Sequence, residues 1–333
     1  MEIKNIKNKL FNLENLSVDE SLFLFEEIME GKLTEIDLSG ILISLKIKGE
    51  TKEEILGAVK IMRSKSLQLS NLENTLDTCG TGGDMSDTLN ISTAASLVAA
   101  SCGVKIAKHG NKSVSSKSGS ADMLEHIGYK LSDQIKELEK QLNDNNFCFM
   151  FAQYHHSSMR HVMNVRKNLG TRTIFNLLGP LTNPANATNQ LLGVYDKKWL
   201  TTHCETLKEL GSKNVLVVHG YDGLDEITLT NNTYICELKN NNINNYTFDP
   251  REIGYEYISL EDIKGGDPQY NAECFLKMIN GDHKKFQKIV EINAGAALYL
   301  VGMAKNIKEG SEIVAKTIDE GKTKNFITKI ING

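Results

Sequence analysis

The sequence predicts an α/β fold in which a small N-terminal helical domain, residues 1–70, precedes a large α/β domain, residues 71–333, with a mostly parallel central sheet and C-terminal helices. Three observations predict it. Helix-start patterns recur through residues 1–70, short apolar runs alternate with amphipathic segments from about residue 75, and the chain closes on the apolar run "VEINAGAALYLVGMA" at 290–304.

The start patterns are Ser17 with Glu20, Thr34 with Asp37 and Thr51 with Glu54, each a hydroxyl followed by a carboxylate that can satisfy the open amides of a first turn. Apolar residues follow at helical spacing: Leu22, Phe25 and Met29, then Ile41 and Leu45, then Ile55, Val59 and Met62. Helices this short cannot each bury a stripe alone, so they should pack together and offer any surplus apolar face to another surface, a partner subunit being one candidate. Beyond them, "VKIA" (104–107), "FCFMFA" (147–152), "LLGVY" (191–195) and "NVLVVHG" (214–220) read as buried strands separated by helices. "ITLT" and "TYICELKN" read as a hairpin or edge pair, and the Asn-rich "NNNINNY" (240–246) as a turn or loop. The closing run is apolar nearly all round; its Glu291 and Asn293 suit a helix packed on the sheet rather than a membrane span.

A chain of 333 residues with 40% hydrophobic residues, 24% charged residues and a net charge of −4 affords a sizeable core. That balance argues against a general nucleic-acid or membrane-surface binder, which would carry a basic excess. The opening "MEIKNIKNKLFNLENLSVDE" has no uninterrupted apolar stretch, so no signal peptide is read and a cytoplasmic location is expected. Six cysteines lie singly with no CxxC pair, suggesting neither a disulfide framework nor a zinc site.

Chemistry concentrates in "LDTCGTGGDMSDTLNIST" (76–93). "GTGGD" matches neither a P-loop nor a dinucleotide fingerprint, and a glycine cluster alone is equally a structural turn. "NIST" then opens a small-residue helix, placing Asn90, Ser92 and Thr93 where orphan amides and the helix dipole favour phosphate; an ordinary N-cap is the alternative. "KHGNKSVSSKSGSADMLE" (108–125) follows the strand "VKIA" and supplies Lys108, Lys112 and Lys117 with many hydroxyls. Ligands of parallel sheets gather at the carboxyl ends of strands, so this loop should face the glycine loop. Asp225 and Glu226 follow the strand "NVLVVHG". An acidic pair beside a phosphate site suits Mg²⁺, which is held by one or two carboxylates plus substrate oxygens. Carboxylates such as Asp84 in a loop built for anions then make sense.

On these residues the chain resembles the anthranilate phosphoribosyltransferases. The motifs that carry the resemblance are "KGETKEEILGAVKIMR", "DTCGTGGD", "NIST", "KHGNKSVSSKSGSAD", "VRKNLGTRTIFNLLGPLTNPA", the DE pair and "NAGAALYLVGMA", in this order over nearly the whole chain. The resemblance implies a hinge between the domains, part of about 160–185 joining the helical domain, and a homodimer through the helical domains. It implies a phosphoribosyl pyrophosphate site lined by Gly80, Gly83, Asp84, Thr88, Asn90, Ile91, Ser92, Thr93, Lys108, Ser116 and Ser120. Ser92, Asp225 and Glu226 would serve Mg²⁺, as two ions. Gly80, His109, Asn111, His156 and Arg166 would meet anthranilate, and Lys108, Asp84 and Arg166 would carry catalysis. The family's aromatic-site segment has prolines where this chain has Gln153, Ser157 and Asn164, and Arg is common where Lys112 stands. Neither nucleic acid nor membrane is an expected partner. The alternatives on this scaffold are a pyrimidine nucleoside phosphorylase-like enzyme and a non-catalytic nucleic-acid-binding relative. The first would carry a different glycine loop and basic segment, the second a basic groove and a damaged GTGGD or DE motif.

Overall fold

The computed structural model describes residues 1–70, 72–112 and 117–332. Helices α1 (Ile3–Phe11), α2 (Val18–Met29), α3 (Glu35–Lys48) and α4 (Lys52–Ser64) open the chain. Ser17 with Glu20 and Thr51 with Glu54 form reciprocal capping boxes. Thr34 accepts from the Asp37 amide, but the Asp37 carboxylate, one methylene shorter than glutamate, takes the Thr34 hydroxyl at 3.1 Å instead of the backbone. Glu54 also joins the bundle: fully buried, it accepts from the Leu16 amide and from Lys48 Nζ, both at 2.9 Å. Such a pair holds three segments in register, because losing one partner of a buried ion pair costs roughly 3–5 kcal/mol.

The remainder runs β1 (Leu76–Gly80), α5 (Ile91–Ser101), β2 (Ile106–Gly110), α6 (Ser120–His126), α7 (Ile135–Asn145), β3 (Phe147–Phe151), α8 (Ala152–His155), α9 (Arg160–Leu169), α10 (Phe175–Leu178), β4 (Asn189–Gly193), α11 (Trp199–Glu209) and β5 (Asn214–Gly220). It closes with β6 (Thr233–Lys239), β7 (Asn242–Phe248), α12 (Pro268–Ile279), α13 (Lys284–Leu300), α14 (Ile307–Asp319) and α15 (Lys322–Asn332). One sheet in the order β3-β2-β1-β4-β5-β6-β7 holds the domain, parallel from β3 through β5 and antiparallel at β6 and β7.

Apolar runs located β2 to β5 but not β1, whose Asp77 and Thr78 are buried yet polar; likewise β2 extends past "VKIA" and β4 begins before "LLGVY", because Lys108, His109, Asn189 and Gln190 are polar strand residues that are nevertheless buried. Two expectations for the edge are corrected. "NNNINNY" is no loop: Asn240 and Asn241, with φ of 50° and 63°, form a two-residue turn, and β7 starts at Asn242 to pair with β6. "ITLT" is no strand, since side chains capture its backbone: the Thr228 amide bonds Thr233 Oγ1 at 3.1 Å, and Asn293 takes both backbone groups of Ile227.

Alternation along the strands divides the core. Leu216 and Val218 face α5, α6 and α12 to α15, while Val215 and Val217 face α11 and a cluster continuous with α1 to α4. Val162 and Val165 of α9 lie in that second cluster. Helix α13 is buried on almost every side, and Gly295 lets it meet α14 closely: a side chain there would strike Ser311. Among the described residues no helix is long and apolar enough to cross a membrane.

Candidate active site

Strands β2 and β3 lie to one side of β1 and β4 to β7 to the other, so loops leaving the carboxyl ends of β1 and β4 diverge and open a crevice. At that point Gly80 stands opposite Gly193 in register. The loop after β5 crosses over both. A Cβ at Gly193 would overlap the Asp225 carbonyl, and one at Gly80 would run into the Asp225 carboxylate, so bare backbone is required for the acidic pair to reach β1. Leu224 and Ile227, fully buried, pin the pair on either side. Asp225 Oδ2 accepts from the Gly82 amide at 2.8 Å, and Glu226 Oε1 from the Ser92 amide at 2.9 Å, in the first turn of α5. The acidic pair, the glycine loop and the α5 N-terminus therefore share one crevice.

Its electrostatics suit a cation. Burial, and then the charge of Asp84, push the Asp225 carboxyl up to about 7, against the Gly82 amide and Arg172. Burial, and then Asp225, hold Glu226 well above the usual carboxylate range, with Lys108 opposing. Among the described residues neither carboxylate has an ion-pair partner, and no group of three or more His, Cys, Asp or Glu is gathered to hold a metal alone. Two crowded carboxylates would suit a divalent cation that takes its remaining oxygens from a phosphate substrate.

The glycine loop turns through Gly82 and Gly83, with φ of 65° and 74°. Arg172 donates to the Gly83 carbonyl and lies 4.0 Å from the Tyr195 ring centroid. Asp84 accepts from the Ser86 amide at 3.2 Å. The loop is then tied down: Thr88 bridges Lys264, and the Leu89 amide donates to the Ile263 carbonyl at 2.9 Å. Asn90 precedes α5 without capping it. Instead its amide donates to the Ser118 carbonyl at 3.1 Å and accepts from Asn271 at 2.8 Å, joining the basic loop to α12. Thr93 reaches Ser120 Oγ at 3.0 Å, and Ile91 is buried. Ser116 lies outside the described residues.

Lys108 is buried between the strands, donating to the Thr78 carbonyl. Burial lowers its proton affinity, while Asp77, Cys79 and Glu226 pull it back up. His109 follows, its amide on Asp77 Oδ1 at 3.1 Å and its ring edge-on to His156 with centroids 5.5 Å apart. Burial, and then the neighbouring histidines, keep His109 well below the usual range; burial, and then His155, bring His156 to about 4. Both rings are neutral near pH 7, and the Nε2 atoms of His109, His155 and His156 are buried without a hydrogen-bond partner. Asn111 Oδ1 accepts from Gln153 at 3.5 Å. Arg166 on α9 is half-buried, over the Phe175 ring at 5.5 Å, with no carboxylate partner among the described residues, and stands apart from the bonded set around Asp225.

Several residues that shape the crevice carried little signal. Arg172 sat unremarked inside a basic motif. Gly193, an isolated glycine in a strand, is the pattern that marks close backbone approach. Asn271 and Asn293 lie far along the chain, on helices whose patterning reports packing.

The glycosyl transferase family profiles match in two parts, the helical bundle domain over residues 4–66 and the a/b domain over residues 72–324. The chain is 45% identical to the anthranilate phosphoribosyltransferase of Clostridium beijerinckii over 321 residues, 96% of this chain and 95% of that one. Among solved structures, that of anthranilate phosphoribosyltransferase from Thermus thermophilus superposes with a TM-score of 0.91 at 36% identity, covering 98% of each chain. The enzyme from Saccharomyces cerevisiae in complex with PRPP and Mg gives 0.83 at 27% identity, over 95% of this chain and 92% of that one. With its fold, crevice and relatives in agreement along nearly its entire length, the chain belongs to the anthranilate phosphoribosyltransferase family of glycosyl transferases.

Proposed function

We propose that this chain transfers the phosphoribosyl group of phosphoribosyl pyrophosphate to the amine of anthranilate, releasing pyrophosphate, as a step of tryptophan biosynthesis. The observation that carries it is the Asp225–Glu226 pair pinned across Gly80 and Gly193, beside the glycine loop and the N-terminus of α5. The yeast relative's complex with PRPP and Mg supports the ligand class. Magnesium, when bound, neutralises negative charge that accumulates on the departing diphosphate. Asp225, Glu226 and Ser92 hold it in this reading, and Asp84, whose charge is felt at both carboxylates, supports two ions.

The chain's own groups do the rest. Glycine-loop amides and Lys108 face the developing charge, with Thr88, Asn90, Thr93 and Ser120 positioning the sugar phosphate. Arg166 offers a planar fork to the anthranilate carboxylate beside Asn111. The aromatic amine is neutral at pH 7 and needs no base before attack, so neutral His109 and His156 shape the aromatic site. Closure of the helical domain, residues 1–70 with the neighbourhood of α9, onto the α/β domain would bring the two substrates together.

A cytoplasmic homodimer completes the reading. Exposed Phe11, Ile36 and Ile47 on the helical bundle support that contact; a chain sedimenting at its monomer mass of 37.0 kDa would remove it. The activity itself is tested by anthranilate fluorescence. Mixing protein, phosphoribosyl pyrophosphate and Mg²⁺ should extinguish it with release of pyrophosphate; persistent fluorescence at high protein concentration would exclude the reaction.

A further inference from the structure

The acidic pair has an anchor outside the crevice. Asn293 lies on α13, wholly buried, two residues after the buried Glu291 and followed by the small and apolar residues Ala294 to Leu298. Its Oδ1 accepts from the Ile227 amide at 3.1 Å, while its Nδ2 donates to the Ile227 carbonyl at 2.8 Å and to the Ile289 carbonyl at 2.9 Å. Every hydrogen-bonding capacity of the side chain that matters here is filled, and the two carbonyls fix which end of the amide is nitrogen. Ile227 directly follows Glu226, and its own side chain is in the core. The residue is thus gripped from both sides: apolar packing holds its side chain and one amide holds both of its backbone groups.

Helix α13 also packs along α5, whose Ser92 amide meets Glu226. A single rigid element therefore carries both the clamp on the acidic loop and the support of the helix end it faces. From this geometry we propose that Asn293 is a positioning residue for the metal: by clamping Ile227 it sets where the Asp225 and Glu226 carboxylates stand relative to the α5 N-terminus, and so how strongly Mg²⁺ and the diphosphate bind together. The inference rests on the reading that Asp225 and Glu226 hold the metal. Outer groups that orient metal ligands typically control about 10- to 100-fold of metal affinity.

The test is calorimetric binding of phosphoribosyl pyrophosphate to the intact protein, once with Mg²⁺ and once with EDTA. The ratio of the two dissociation constants measures how far metal and substrate support each other. In Asn293→Ala this ratio should fall about tenfold relative to the unaltered chain, with the affinity in EDTA preserved within about twofold. Asn293→Asp keeps the volume and the acceptor but sets an oxygen against two carbonyls; it should show the same fall, and it serves if the alanine variant does not accumulate folded. Leu298→Ala, equally buried on the same helix but with an apolar side chain that can make no hydrogen bond to Ile227, is the control. It should lower thermal stability and leave the ratio alone. An unchanged ratio in folded Asn293 variants, or an equal fall in Leu298→Ala, overturns the proposal. Asp225→Asn in the same assay separates the failures: if it too leaves the ratio intact, the metal reading has fallen and the clamp's role falls with it.

Discussion

Replacing the acidic pair by its amides, Asp225→Asn with Glu226→Gln, should lower turnover at saturating substrates by on the order of a thousandfold or more while the protein stays folded. The first half follows from charge. Removing one preorganised group that stabilises transition-state charge costs about 10²–10³ in rate, and this change removes both carboxylates that would hold the metal. The second half follows from the bonds. Each substituted side chain would retain a carbonyl oxygen for the Gly82 and Ser92 amides, which Asp225 and Glu226 now hold at 2.8 and 2.9 Å. Stability should hold or rise at neutral pH. A carboxyl raised to about 7 in the folded chain is costly to ionise, and that penalty, absent at low pH, is fully present once pH exceeds the folded value. The amides abolish it. Turnover near the wild-type value in a folded double variant would remove the metal site from Asp225 and Glu226.

Arg166→Ala should raise the Michaelis constant for anthranilate by on the order of tenfold to a hundredfold, the range expected when a charged hydrogen bond worth about 1.5–3 kcal/mol is lost. That for phosphoribosyl pyrophosphate should change by less than about twofold. Arg166 lies half-buried over Phe175 without a carboxylate of its own, a charge whose desolvation no described partner offsets. An incoming carboxylate supplies that partner. Arg166→Lys should recover only part of the loss, because a point charge cannot match the carboxylate in two places. Equal effects on both substrates would place Arg166 in the general architecture of the crevice.

Sequence pattern reported what depends on local physics. Ser17, Thr34 and Thr51 announce their helices because capping is settled within four residues, and "NVLVVHG" coincides with β5 because its buried positions are apolar. The acidic pair was legible for a related reason, as charge next to a strand end. Patterning failed where long-range contacts overrule local preference. "ITLT" has every attribute of a strand, yet Asn293 and Thr233, distant or downstream, take its backbone. Likewise Lys108 and Asn189 are strand residues whose polarity is tolerated only because each finds buried partners, Thr78 and Thr75. Asn90 shows the same limit at the site: its place before α5 suggests a cap, but Asn271, far along the chain, engages it.

In this reading one crevice at the β1–β4 divergence would hold magnesium and the diphosphate together through Asp225 and Glu226. Crystals grown with phosphoribosyl pyrophosphate and Mn²⁺ in place of Mg²⁺, measured for anomalous scattering, locate the ion. An anomalous peak should stand within coordination distance of both carboxylates, facing the Gly82 turn and the first turn of α5. A fully occupied peak elsewhere, with the Asp225–Glu226 pair bare, would contradict it.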